Sequence, residues 1–400
     1  MDIEKGLEQW KRPEELMKLA AQREENKECL SSDELLMLKS RSFYGPILFL
    51  ELLKGPEESS KRAEIRNLYN QLRELDTIED NTSLSVNEKC ELIDRFTYVV
   101  AESARINGSN SKSVEDIIRG DELRTVTAAL ERSISKKNDE KIFTRHFGFG
   151  PVIRELYSFD QDTKSDIDYA VGRMATGMKN FLKRGEMQTK EQLKEYCFYV
   201  AGSIGGFLKR LVKKRDNVDL NENKGERFGE FLQLVNIIKN TREDYNEGRI
   251  FLPRELRPND MSYMTLMNDS GESAKTARES MFENTINMAE SNWNDVISYI
   301  QSIPASISGY KSFTLISLIA ARESIETMRR AGAEEVFAGK ETAIKYQGGI
   351  LPIMKFSAGI VSVSSSSRTN DWLSAYQKDY RKMPFSPQNH QEWSRNWLVP

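Results

Sequence analysis

Two carboxylates four residues apart, Asp76 and Asp80 in 71-QLRELDTIED-80, are the chain's first candidates for chemistry. On a helix that spacing places both on one face, a turn apart. Such a pair can share a hard cation, and Mg²⁺ held this way keeps coordination positions for water and phosphate oxygens. Taken alone, the spacing more often marks a solvated acidic face. A second cluster, 233-QLVNIIKNTREDYNEGRIFLP-253, shifts that balance. Its Asn236, Asn240 and Asp244 recur every four residues, a stripe of oxygen-bearing side chains beside apolar Val235, Ile237 and Ile238. Gly248, Arg249, Phe251, Leu252 and Pro253 then stop the helix with a cation close by. Two opposed acidic helices with Lys239 and Arg249 nearby suit a diphosphate bridged by Mg²⁺. The cations neutralise the leaving group as its C–O bond breaks.

Between the clusters, 196-YCFYVAGSIGGFLKRL-211 reads as a helix rich in small residues. Each interior Gly costs about 1 kcal/mol of helix propensity relative to Ala. Either tight helix packing or space for a bulky apolar ligand must offset that cost. Downstream, Lys209, Arg210, Lys213, Lys214 and Arg215 offer a candidate site for NADPH phosphate, although a solvated basic helix end is the simpler reading.

The elements that must carry these groups are helices. Apolar residues at three- and four-residue spacing predict helices at 14–28, 31–40, 60–77, 86–106, 121–136, 165–183, 190–213, 226–246, 271–302 and 312–332. Hairpin signals are scarce, and 358-AGIVSVSSSS is the best strand candidate. The polar stretch 104-ARINGSNSKSVED reads as a loop. The expected organisation is a helical N-terminal extension over 1–30, one large all-α domain over 31–366, and a tail over 367–400 whose Trp372, Trp393 and Trp397 could dock back.

Composition narrows the function classes. The 400 residues carry 58 basic and 61 acidic side chains, a net charge of −3. Such a balance offers no global attraction to nucleic acid or anionic membranes, so an anionic ligand needs a local grip. Only His146 and His390 are present, which leaves little room for histidine triads or histidine-rich metal sites. Cys29, Cys90 and Cys197 show no CxxC spacing and read as reduced thiols. The first residues lack a signal-peptide core, and no run of about 18 apolar residues occurs, so a cytoplasmic protein without a transmembrane segment is expected.

In combination, 40-SRSF-43, 69-YNQLRELDTIED-80, 196-YCFYVAG-202 and the second cluster resemble the squalene and phytoene synthase family, over roughly residues 35–350. The YCxYVAG string and 336-VFAG-339 are most similar to the squalene synthase branch. The resemblance implies a class I isoprenoid synthase helical bundle around a deep central cavity. It implies head-to-head condensation of two prenyl diphosphates, farnesyl diphosphate first among them, through a cyclopropylcarbinyl diphosphate. It implies Mg²⁺ as cofactor, with Mn²⁺ as a substitute and NADPH as the hydride source where squalene is the product. Asp76 and Asp80 then bind metal and diphosphate, joined on the metal by Asn240 and Asp244. Ser40, Arg41, Tyr69 and Arg73 contact diphosphate or line its pocket, as do Asn236, Lys239 and Arg249. Tyr196 matches a tyrosine that assists proton removal during cyclopropane formation, and a phenol ring suits a carbocation.

The second motif departs from the family's N-x-x-R-D-x-x-x-D. Lys239 stands for the arginine and Asn240 for the first aspartate. The site loses a charge, and lysine cannot fork onto phosphate as arginine does. The stretch 312-SFTLISLIAARES-324 also lacks a Pro-Gln pair associated with squalene synthases. These departures motivate rival readings: a divergent synthase with a non-reductive product or another acceptor, or a silent lipid-binding homologue. Peripheral contact with membrane, to collect apolar substrate, fits each reading.

Overall fold

The computed structural model describes residues 13–39, 46–47, 50, 56–106, 113–134, 138–258, 261–339, 370 and 373–374. Among them every regular element is a helix or a helical turn. None of these helices is long and apolar enough to cross a membrane. The chain divides into two compact units, Met1–Lys183 and Arg184–Pro400.

The first unit contains α1 (Pro13–Glu25), α2 (Ser32–Lys39), α3 (Pro56–Glu79), α4 (Val86–Arg105), α5 (Val114–Ile118), α6 (Asp121–Ser133), α7 (Asn138–Gly148), α8 (Pro151–Ser158) and most of α9 (Gln161–Arg184). Local signals start several of them. At α4, Ser85 Oγ accepts from Glu88 N while the Glu88 carboxylate accepts from Ser85 N, a reciprocal cap. Leu123, Val126 and Leu130 of α6 are buried at helical spacing. Phe96 of α4 meets Phe147 of α7 with ring centroids 5.7 Å apart.

Helix α3 is unlike an ordinary amphipathic helix, because much of its buried surface is polar. Lys61, Glu64, Asn67, Asn70, Gln71 and Glu74 are all fully buried. Buried polar groups need partners, and these find them: Asn70 Nδ2 donates to Ser32 O at 2.9 Å, Asn67 Nδ2 to Val152 O at 2.8 Å, and Thr163 Oγ1 to Glu64 at 3.0 Å. Through these bonds α2, α8 and α9 hold α3.

The second unit contains α10 (Lys190–Cys197), a π-helical turn (Phe198–Gly202), α11 (Ser203–Asp216), α12 (Glu222–Asn246), α13 (Tyr263–Asn268), α14 (Glu272–Glu290), α15 (Trp293–Ser302), α16 (Ser308–Ala331) and α17 (Ala333–Ala338). Helix α12 is its axis. Phe228, Phe231, Leu234, Val235, Ile237 and Ile238 are buried around its circumference, as a helix surrounded by others requires. It touches α10, α11, α14, α15, α16 and α17.

The small residues of 196–211 serve the tight packing alternative. A Cβ on Gly205 would lie 2.3 Å from Gly225 C, and one on Gly229 would lie 2.3 Å from Ala201 O. Backbone therefore meets backbone where the π turn and α11 cross α12, and the glycines do not open ligand space at that crossing.

Several boundaries differ from expectation. The predicted helix at 190–213 contains the π turn, and that at 271–302 divides between α14 and α15 at Ser291–Asn292. Helices α5, α7, α8, α13 and α17 were not predicted, being short and flanked by polar or Gly-rich segments such as 147-FGFGP-151. The strand candidate at 358–367 and the tail tryptophans lie outside the described residues. The described part of the tail does dock. Leu373 is fully buried, Gln301 Nε2 donates to Ser374 Oγ at 3.0 Å, and Lys311 Nζ donates to Asn370 Oδ1 at 3.2 Å.

Candidate functional site

In the first unit, the expected residues of α3 occupy one stripe. Tyr69, Arg73, Asp76 and Asp80 follow at intervals of four, three and four residues, and all four are half-buried between fully buried flanks. Arg73 Nη1 donates to Asp76 Oδ2 at 3.1 Å, and its Nη2 donates to Glu140 Oε1 of α7 at 3.3 Å. Burial opposes the Arg73 charge, but Asp76, Asp80, Tyr69 and Glu140 outweigh it and hold the pKa above the ordinary arginine value. This guanidinium is a permanent cation in a surplus of carboxylates. Ser40 and Arg41 lie outside the described residues. Lys39, immediately before them, donates to Asp139 Oδ2 at 3.0 Å and lies 3.2 Å from Glu140 Oε1.

Beneath the stripe lies Glu74, a carboxyl the sequence did not flag. Burial pushes its pKa up to about 8, against the opposing effects of the Thr144 hydroxyl, Arg73 and Lys39. Burial thus favours the neutral form of Glu74, next in sequence to the charged Arg73.

In the second unit, α12 carries the other expected set. Asn236 and Asn240 are half-buried and Asp244 is buried, one turn apart each. The group is internally paired. Arg249 Nη2 donates to Asp244 Oδ1 at 2.6 Å, Arg249 Nη1 lies 2.8 Å from Glu247 Oε2, and Lys239 Nζ donates to Asn236 Oδ1 at 3.2 Å. The helix stop explains the first contact. Gly248 takes a left-handed φ of +80°, and Arg249 N returns to Asp244 O at 2.8 Å, folding the arginine back on its own helix. Tyr196, at the end of α10, is buried with its ring 4.9 Å from that of Phe251, just beyond the same turn. Thus Tyr196, Asp244 and Arg249 are gathered around the 248–251 segment. The π turn that follows Tyr196 is a helix irregularity often found at functional sites.

The donor chemistry bears on a metal. Among the described residues no three His, Cys, Asp or Glu side chains gather to hold one. Asp76 and Asp80, two carboxylates a turn apart on a half-buried face, nevertheless fit a hard cation that shares its remaining positions with phosphate oxygens and water. Asp244, committed to Arg249, fits that role less directly, and the pair presents a cation as well as a carboxylate. The basic run after Gly206 is partly neutralised: Lys209 lies 3.6 Å from Asp219 and 3.7 Å from Glu222.

The family model for squalene/phytoene synthase matches residues 38–345. The squalene synthase of Schizosaccharomyces pombe is 28% identical over 236 residues, 56% of this chain and 44% of that protein. Squalene synthase ERG9 of Saccharomyces cerevisiae is 29% identical over 236 residues, 56% of this chain and 45% of that protein. The matched segments thus span less than half the length of either relative. A solved structure of TcSQS with the ligand E5700 shares the fold with a TM-score of 0.65 at 20% identity, covering 92% of this chain and 96% of that one.

Proposed function

The chain belongs to the squalene/phytoene synthase family, with its all-α isoprenoid synthase fold, and on that premise we propose that it is a Mg²⁺-dependent prenyltransferase. Its reaction is the head-to-head joining of two farnesyl diphosphates through a cyclopropylcarbinyl diphosphate. The observation that carries this reading is the half-buried Tyr69–Arg73–Asp76–Asp80 stripe within the matched region.

The residues divide the work as follows. Arg73, kept charged by its carboxylate neighbours, grips a diphosphate oxygen. Asp76 and Asp80 hold the metal side of the same group. When bound there, Mg²⁺ supplies Lewis-acid stabilisation of the departing diphosphate. Asn236, Lys239, Asn240, Asp244 and Arg249 form the second diphosphate-binding set. Ser40 and Arg41 complete the contacts to phosphate. Tyr196 takes part in proton removal as the cyclopropane forms, its ring supplying a π face to positive charge. A cytoplasmic location, with peripheral contact to membrane that stores apolar substrate, accompanies this reading.

Asn240 favours one alternative within the same chemistry. A second motif short of one carboxylate changes the charge at the diphosphate, and so the fate of the cation formed there. The product is then presqualene diphosphate, dehydrosqualene or another non-reduced compound, made without NADPH.

Incubation of the protein with farnesyl diphosphate and Mg²⁺ or Mn²⁺, with and without NADPH, tests both. Diphosphate release with squalene formed only in the presence of NADPH supports the reductive reaction. A product indifferent to NADPH supports the alternative. No metal-dependent release of diphosphate overturns the enzyme reading.

A further inference from the structure

Arg73 does not stand alone on α3. Its Nη2 is 3.3 Å from Glu140 Oε1, and the same carboxylate oxygen lies 3.2 Å from Lys39 Nζ. Lys39 is also 3.0 Å from Asp139 Oδ2. The Lys39 side chain is 4% exposed and that of Glu140 is 11% exposed. Both therefore sit where an ion pair is only weakly screened by water.

This cluster has a specific topology. Lys39 ends α2 and directly precedes Ser40 and Arg41. Arg73 belongs to α3 and Glu140 to the first turn of α7. One carboxylate thus ties the end of α2 to the Arg73 turn of α3, two segments that, on the reading above, both serve diphosphate. Arg73 is held between two acceptors, Asp76 on its own helix and Glu140 on another. A contact within α3 alone leaves the long arginine side chain free to swing with Asp76. The second contact, from a different helix, fixes where the guanidinium points.

We propose that Glu140 is a positioning residue for Arg73, and that it sets the geometry in which Arg73 meets a diphosphate. The proposal rests on the diphosphate-binding reading of α3 and adds a residue outside every motif that supported it. Its action passes through Arg73, so its effect depends on Arg73 being present.

The test is a double-mutant cycle on the full chain, read as binding of inorganic pyrophosphate in the presence of Mg²⁺ by isothermal titration calorimetry. Glu140→Ala is expected to weaken binding about tenfold, the scale seen when residues supporting a ligand are removed. Glu140→Gln, which keeps an acceptor for Arg73 without the charge, recovers part of that loss. In an Arg73→Met background, Glu140→Ala changes affinity no further, because the two residues act as one unit. Wild-type affinity in Glu140→Ala, or an equal loss with and without Arg73, overturns the proposal while leaving the diphosphate reading intact. If Glu140→Ala does not fold, Glu140→Gln against the Arg73→Met background decides by the same comparison. A wild-type protein that neither binds Mg²⁺–pyrophosphate nor releases diphosphate from farnesyl diphosphate overturns the underlying reading, and this inference with it.

Discussion

Arg249 folds back to place its Nη2 2.6 Å from the Asp244 Oδ1, joining the last turn of α12 to the segment that carries Phe251. Both side chains are close to nine-tenths buried, so the pair is a structural lock as well as a candidate phosphate contact. Arg249→Ala leaves the Asp244 carboxylate buried without its cation. Breaking a buried pair on one side costs about 3–5 kcal/mol, and the Tm should fall accordingly in a thermal melt. Arg249→Lys, which keeps the charge, should lose less stability but still weaken diphosphate binding, because lysine cannot offer two parallel N–H donors. Equal stability for wild type and Arg249→Ala would show that the contact is dispensable.

Asn240 is the position where the second motif lacks a carboxylate. Asn240→Asp adds a negative charge one turn from Asp244. The Mg²⁺ concentration for half-maximal diphosphate release should drop, by about tenfold or less, as charge count governs affinity for a hard cation. A change of product at unaltered Mg²⁺ dependence would instead assign the asparagine to control of the carbocation, and gas chromatography of the products distinguishes the two.

Gly229 and Gly205 are predicted to resist any side chain. A methyl at either position would meet backbone at 2.3 Å, and backbone cannot turn aside as a flexible side chain does. Gly229→Ala should destabilise the second unit by about 1–3 kcal/mol or more, the range for overpacking. Gly172, whose added Cβ meets nothing within 4 Å, is the matched control on a helix and should tolerate alanine. Chemical denaturation of both variants makes the comparison.

Glu74 predicts a pH dependence of stability. Its folded pKa of about 8 lies above the ordinary value of 4.5, so the folded state holds a proton that the unfolded chain releases. That contribution is fully present below pH 4.5 and is lost as pH rises through about 8. Glu74→Gln should remove this loss and be more stable than wild type at pH 8.5–9, by up to a few kcal/mol. Urea melts of both proteins between pH 6 and 9 read the difference directly, and parallel pH profiles would refute the assignment.

The principal long helices were legible because each carries apolar residues at helical spacing and a recognisable start or stop. The cap at Ser85 begins α4 where spacing placed it, whereas the cap at Asn221 begins α12 four residues before the predicted 226. Short α7 and α8 were not, since their apolar residues are few and Gly148 and Gly150 interrupt any longer period. That omission concealed Glu140, whose partner Arg73 is 67 residues away. The small residues of 196–211 signalled a close approach or an open space, and only the position of α12 shows which.

Residue type and local spacing are written along the chain. They determined by themselves that the fold is helical, that Arg73, Asp76 and Asp80 share a face, and that Asn236, Asn240 and Asp244 form a stripe. Partnership is decided by packing, because a charge takes its pKa and orientation from whatever the fold brings to it. Tertiary structure alone placed Glu140 and Lys39 around Arg73 and buried Glu74, which raises its pKa. It also set the glycines of α11 and α12 backbone to backbone, where no side chain fits.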